Sequence, residues 1–210
     1  MTPTSRRPLL LGAAALCTAA AGALFVHYAA RSPAVEFVPP AEDICVVAPA
    51  RVSAAHPYAP ASGLDMLAAR PVPADARCPV CGMYPARFPN WAAQIIFSDG
   101  SVHFFDSPVD LFAFLDEPAR FDAEHTAEDA AALYVADHLS GGWLDARKAV
   151  FVIGSGVRGP MRGPDLPAFA EAAAAQAFIA EHGGRALAFD EIDRSTVRDL
   201  RSAAHSGHMH

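Results

Sequence analysis

The pattern that most restricts the fold of this chain is an order of strand, turn, strand, helix and strand that occurs twice. Asp-Gly is typical of a hairpin turn, and a serine before proline indicates the capped start of a helix. The predicted elements of the first copy are two strands with their turn, a helix and a third strand: residues 93–98, Asp99-Gly100, residues 102–105, a helix that begins after Ser107 at Pro108, and residues 132–137.

The second copy repeats this order. Its predicted elements are residues 149–153, the turn Gly154-Ser155-Gly156, residues 157–162, an alanine-rich helix at about 167–182 that Gly183-Gly184 ends, and residues 186–189. The sequence therefore predicts an α+β fold of two β-β-α-β units, at about 91–138 and 148–190, with small antiparallel sheets. Each unit alone is small, so we expect the sheets to pack or pair into one body.

An apolar run precedes this region. Residues 9–30 are nearly all apolar and follow Arg6-Arg7, which predicts an N-terminal apolar helix within residues 1–31 that is long enough to cross a bilayer. By the positive-inside rule the rest of the chain then lies outside the cytoplasm. We predict an uncleaved signal anchor; the alternatives are a cleaved signal peptide and a lipid on Cys17, although Leu16 is larger than the residue that lipidation prefers.

Residues 32–76 are rich in proline and show little periodicity, which predicts a tether. Residues 44–47 are its one apolar island, and Cys45 there either packs against the domain or supplies a sulfur ligand.

Two thiols and a thioether lie within six residues at Cys78, Cys81 and Met83. Such soft donors favour Cu(I). The alternatives are a redox disulfide and half of a zinc site. A redox Cys-x-x-Cys usually opens a helix, but glycine and proline follow Cys81. A structural zinc site needs a further pair of ligands, but the other two cysteines stand alone and no His-x-x-x-His occurs.

From Cys78 onwards the chain resembles the NosL family of copper chaperones for nitrous oxide reductase maturation. The similar segments are Cys78-Pro79-Val80-Cys81-Gly82-Met83 and residues 91–106, 134–137, 143–145, 149–155, 159–161 and 189–192. The resemblance implies a Cu(I)-binding domain over residues 77–193, a fold like that of organomercurial lyase, and a role in copper delivery rather than catalysis.

The same resemblance implies a place on the periplasmic face of the inner membrane and an acceptor that is the maturation machinery or the nitrous oxide reductase apoprotein. A lipoprotein and a soluble periplasmic protein are the alternatives to an anchored one. The formal charge of −7 argues against nucleic acid as a partner. A periplasmic thiol-disulfide oxidoreductase that uses Cys78 and Cys81 remains the alternative function.

A second methionine lies in the Gly- and Pro-rich segment at 159–163. Met161 is either core filler or a further copper ligand, so the candidate set is Cys78, Cys81, Met83 and Met161. Residues 194–210 are predicted to be a tail, whose His205, His208, Met209 and His210 either capture metal or are solvated. His103 and His138 are predicted to be structural strand residues.

Overall fold

The computed structural model describes residues 54–206, with side-chain positions up to residue 204. In this part of the chain seven strands and three α-helices follow one another in this order: β1 Ala93–Phe97, β2 Val102–Phe105, α1 Pro108–Asp116, β3 Ala130–Ala136, β4 Trp143–Asp145, β5 Val150–Ile153, β6 Ala168–Phe169, α2 Ala172–His182, β7 Arg185–Leu187 and α3 Arg194–Ser206.

The strands form two antiparallel sheets. The first sheet has the order β2-β1-β3-β4 and the second the order β6-β5-β7. A parallel bridge between Asp137 and Ala168 joins the sheets, and the His138 amide donates to the Ala168 carbonyl at 2.7 Å. The α+β class and the small antiparallel sheets are thus confirmed.

Helix α1 is shared by the cores of both units. Residues 108–114 of this helix are buried, and the ring of Phe112 packs edge-on against that of Phe151 in β5, with the centroids 5.4 Å apart. The main apolar cluster combines Phe105 of the first sheet with Phe151 and Leu187 of the second. The two units therefore form one body, as the sequence predicts.

The local signals for turns and caps are confirmed. Gly100 has φ +84° and its amide donates to the Phe97 carbonyl in the β1–β2 hairpin. The Ser107 side chain accepts from the Asp110 amide at the start of α1. Gly183, at φ +74°, ends α2 through a bond from its amide to the Ile179 carbonyl.

The prediction of a returning strand at 157–162 is wrong. This segment is a loop in which the Gly159 amide bonds to the Gly163 carbonyl, and Arg162 has φ +59°. A backbone with glycine and proline so close together turns on itself instead of extending. The returning strand is β6, and because Ala168 and Phe169 are buried in the sheet, helix α2 begins at Ala172 and not near 167.

Part of the predicted tether packs against the domain. His56 exchanges two backbone hydrogen bonds with Val102 at the edge of the first sheet. Gln94 of β1 bonds to the Arg70 backbone through both ends of its side-chain amide, and Ala76 is buried with Phe104. Residues 54–76 therefore cover one face of the first sheet.

Residues 194–206, which the sequence analysis assigned to the tail, form helix α3. Val197 and Leu200 on this helix are buried in the main cluster. Within residues 54–206 no helix has the length and apolar character needed to cross a membrane. The predicted anchor at 1–31, Cys17, Cys45 and the tail residues His208, Met209 and His210 lie outside the described residues.

Leu200→Ala tests whether α3 belongs to the core. Because the Leu200 side chain is 7% exposed, its truncation should lower the free energy of unfolding by about 2 to 5 kcal/mol. Urea unfolding of the full chain measures the change. Asp199→Ala, an exposed neighbour on the same helix, should change it by less than about 0.5 kcal/mol. An equally small change in the free energy of unfolding of both variants would show that α3 does not belong to the core.

Candidate metal centre

The cysteine motif is a closed backbone loop. The Cys78 amide donates to the Met83 carbonyl at 2.9 Å, and the Gly82 amide donates to the Cys78 carbonyl at 2.8 Å. Gly82 has φ +76°, a conformation that suits glycine and not residues with a side chain. The turn holds the two cysteines close together, with Cys78 buried and Cys81 half-buried.

Two carboxylates face the two thiols. The Cys78 thiol donates to Asp110 Oδ2 at 3.3 Å, and the Cys81 thiol donates to Asp106 Oδ1 at 2.9 Å. One ligand atom from each of these four residues lies within 4.8 Å of all the others. Asp106 follows β2 directly and Asp110 lies in the first turn of α1, so the junction between this strand and helix presents both acids to the cysteine loop.

Burial and the acids keep the thiols protonated. Burial raises the pKa of Cys78 well above its ordinary value, and the negative charges of Asp110 and Asp106 raise it further. For Cys81 the hydrogen bond with Cys78 lowers the pKa, but burial and the two carboxylates outweigh it and raise the pKa to about 11. Burial and the Asp106 charge also raise the pKa of Asp110. A bound cation would compensate the negative charge of this cluster.

Asp106 has an unused acceptor. Its carboxyl group is 0% exposed, and Oδ2 has no hydrogen-bond partner among the described residues. A buried oxygen without a donor is unfavourable. The other oxygen of this carboxylate accepts from the Cys81 thiol, so the unpartnered oxygen belongs to a residue of the thiol-carboxylate cluster.

Met161 shares a cavity with the cluster. The cavity has a volume of about 210 Å³ and is lined by Val80, Cys81, Ser107, Val109, Asp110, Met161, Pro164, Asp165, Leu200, Arg201 and Ala204. The loop between β5 and β6 supplies Met161, and α3 closes another side. Met161 and Cys81 are far apart in the sequence, but the structure brings both of them to the same cavity.

Met83 has a different position. It is half-buried, and its carbonyl closes the cysteine loop, but among the described residues it is not one of those that line this cavity. Its part in the candidate ligand set stays a prediction.

Two histidines, His103 in β2 and His138 just after β3, pack inside the domain and contact neighbouring side chains. His103 is 1% exposed and its Nε2 lies 2.8 Å from Asp122 Oδ2, which also lies 2.8 Å from Nδ1 of His125. His138 packs edge-on against Trp91 with the ring centroids 4.6 Å apart. Both agree with the predicted structural role.

Sequence reasoning missed the three buried acids of this region, Asp106, Asp110 and Asp165. The helix dipole favours an acid in the first turn of a helix, so the sequence alone offers no reason to assign Asp110 to a metal site. Asp165 accepts from the amides of Val109 and Leu166, and burial raises its pKa to about 7. Only the folded structure reveals that Asp106 and Asp110 face the thiols and that Asp165 lines the cavity beside Cys81.

The fold and the cluster define a small α+β domain with a thiol and carboxylate site of the kind that binds metal ions. The chain belongs to the NosL family, whose family model matches residues 69–197. This confirms the resemblance seen in the sequence.

Two relatives illustrate the similarity. The copper-binding lipoprotein NosL of Stutzerimonas stutzeri is 33% identical over 135 residues, which are 63% of this chain and 70% of that protein. The crystal structure of the copper chaperone NosL from Shewanella denitrificans superposes with a TM-score of 0.54 at 30% identity, and the match covers 61% of this chain and 98% of that chain.

Asp106→Asn tests how the acids act on the thiols. Removal of this charge should lower the pKa of Cys81 and speed its alkylation by iodoacetamide at pH 8, by about tenfold for each unit of pKa. In the unchanged protein without metal, the alkylation rate of Cys81, followed by mass spectrometry, should rise up to about pH 11. Asp145→Asn, at a half-buried acid in β4 that pairs with Lys148, is the control and should leave the profile unchanged. A wild-type profile that levels off near pH 8.5 would contradict the raised pKa.

Proposed function

We propose that this protein is a Cu(I)-binding metallochaperone on the periplasmic side, and that it delivers copper for maturation of a copper enzyme, nitrous oxide reductase. It has no catalytic role of its own in this proposal. Cys78, Cys81 and Met161 bind the ion, and Met83 is a further candidate ligand. The names of the two relatives, a copper-binding lipoprotein and a copper chaperone, support the copper specificity.

The observation that carries the proposal is a pair of adjacent thiols, one of which lines a cavity together with a thioether. Cys78 is 2% exposed, whereas Cys81 is only half-buried and lines the cavity together with Met161. Sulfur donors favour Cu(I), which accepts low coordination numbers. A site with few ligands and one accessible thiolate suits a carrier, because an acceptor thiolate or imidazole can approach from the open side and take the ion.

The charges of the site favour a cation that replaces protons. Both thiols are protonated at neutral pH because their pKa values are raised. Copper binding must therefore displace thiol protons, so the affinity rises with pH below the pKa of Cys81. The neighbouring carboxylates attract the incoming cation.

The alternative function, a thiol-disulfide oxidoreductase, finds less support. An attacking thiol in such an enzyme has a lowered pKa. Here the pKa of Cys81 is about 11 and that of Cys78 is also raised. Both cysteines are free thiols in the structure.

For the attachment to the membrane we propose the N-terminal apolar segment as an anchor. The lipoprotein name of the Stutzerimonas stutzeri relative supports the alternative, a lipid on Cys17. The mass of the mature N-terminus distinguishes an uncleaved chain, a cleaved soluble chain and a diacylglycerol-bearing Cys17.

Cys78→Ser combined with Cys81→Ser should abolish tight Cu(I) binding, because it removes both thiolates. Anaerobic competition with a Cu(I) chelator, with native mass spectrometry for stoichiometry, measures the effect. The unchanged protein should bind one Cu(I), and much more tightly than Zn(II). Cys45→Ser tests the remaining candidate sulfur and should keep the affinity if Cys45 only packs against the domain. Full Cu(I) affinity in the double variant would place the site elsewhere.

Met161→Leu removes the thioether and nearly preserves the side-chain volume. If Met161 is a ligand, Cu(I) affinity should fall by about tenfold or more while the melting temperature of the metal-free protein stays the same. The rise in melting temperature on addition of Cu(I) should become smaller.

Met66→Leu, at an exposed methionine, is the control for Met161→Leu. A clear loss of metal-free stability with undiminished Cu(I) affinity would show that Met161 serves packing alone. A third sulfur ligand would then be sought with Met83→Leu.

A further inference from the structure

The loop that carries Met161 is short and closed on itself. We call residues 159–163 the Met161 loop. The Gly159 amide donates to the Gly163 carbonyl at 2.9 Å, and the Arg162 amide donates to the Gly159 carbonyl at 2.8 Å. These bonds fix the shape of the loop. Because both of their ends lie within the loop, they do not set its position relative to the cysteines.

Asp165 connects this part of the chain to the first unit. Its carboxyl group is buried, and Oδ1 accepts from the Val109 amide at 3.3 Å and from the Leu166 amide at 2.8 Å. The Ser107 hydroxyl hydrogen-bonds to the same carboxyl group. Because the first amides of a helix have no acceptor within it, the start of α1 needs such a partner. Asp165 therefore ties the chain just after the Met161 loop to the helix that carries Asp110.

The Met161 loop also packs directly on this carboxyl group. A Cβ atom at Gly159 would lie 2.3 Å from Asp165 Oδ2, so a side chain has no room between the loop backbone and the acid. Asp165 lines the same cavity as Met161 and Cys81. A single side chain thus contacts the first residue of the loop, the N-terminus of α1 and the cavity that the thiol shares with the thioether.

We propose that Asp165 is a positioning residue for copper: it holds the Met161 loop against the N-terminus of α1, so that the Met161 sulfur reaches the ion bound by Cys78 and Cys81. This inference rests on the proposed chaperone function with Met161 as a ligand. Asp165 is not one of the four residues of the thiol-carboxylate cluster, so it acts through Met161. A loop without this tie would have to be ordered when the ion binds, and the entropy lost would lower the affinity.

Two substitutions at Asp165 separate its hydrogen bonds from its size. Asp165→Leu nearly keeps the volume of the side chain but removes every acceptor for the Val109 and Leu166 amides. Asp165→Asn keeps one oxygen for these amides and removes the charge. Both variants are made in the full chain and kept in neutral detergent.

Gly159→Ala moves the loop from its other side and leaves the acceptors of Asp165 in place. The added methyl group meets the Asp165 carboxyl group, so the loop and the acid must separate. Gly156→Ala is the matched control, because a Cβ atom there would lie 3.6 Å from the His182 carbonyl oxygen, which is an ordinary contact.

Asp165→Leu should weaken Cu(I) binding by about tenfold in the anaerobic competition, as Met161→Leu does, because both remove the thioether from the ion. X-ray absorption of bound Cu(I) should then show two sulfur ligands, against three in the unchanged protein. Gly159→Ala should behave like Asp165→Leu. Asp165→Asn and Gly156→Ala should stay within about twofold of the unchanged protein, with three sulfur ligands.

The combination of Asp165→Leu with Met161→Leu decides how Asp165 acts. If it acts through Met161, the double variant should bind Cu(I) within about twofold of Met161→Leu alone, since the effects of coupled residues do not add. A loss of about a hundredfold would mean that the two effects add. Asp165 would then act on the cysteines or on the fold in general.

Three results would overturn the positioning role: full Cu(I) affinity in Asp165→Leu, additive losses in the double variant, or three sulfur ligands in Asp165→Leu. Full affinity in Met161→Leu would also overturn it but would leave a chaperone that uses the two cysteines. Failure of the chaperone function is distinct, because the unchanged protein would then not bind Cu(I). If Asp165→Leu does not fold, Gly159→Ala with and without Met161→Leu gives the same decision.

Discussion

The N-terminus of helix α1 is where the two units of the domain depend on each other. Its first amides need acceptors because no intrahelical partner exists for them. Ser107 supplies one from its own unit, and the buried carboxyl of Asp165 accepts from the Val109 amide across the unit boundary. Through this bond the loop that carries Met161 is held over the strand-helix junction that carries Asp106 and Asp110. The cavity that Cys81 and Met161 share is therefore formed by both units, whereas the thiol-carboxylate cluster itself lies between the cysteine loop and the first unit.

Much of the architecture could be predicted from the sequence because its signals are local. The hairpin at Gly100, the cap at Ser107 and the helix end at Gly183 each depend on a few neighbouring residues and on backbone preferences that act without tertiary structure. The sulfur donors were equally visible, because Cys78 and Cys81 lie within one short turn.

Features set by long-range packing could not be predicted in the same way. The segment at 157–162 has strand-like length, but its glycine and proline favour a loop, and the strand forms at Ala168–Phe169, where both side chains are buried. Helix α3 is polar along most of its surface and reveals its place in the core only through Val197 and Leu200. The acids around the thiols likewise meet the cysteines only after folding.

One close contact links the loop to helix α3. A Cβ atom at Gly163 would lie 2.3 Å from the Cβ of Ala204, so these two positions share the space of about one methyl group. Met161 lies two residues before Gly163, and Ala204 lines the same cavity as Met161. A larger residue at either position must push loop and helix apart and widen the cavity that Cys81 and Met161 line. Over evolutionary time the two positions should therefore vary together, and relatives with a bulky residue at one of them are expected to have a differently shaped cavity there.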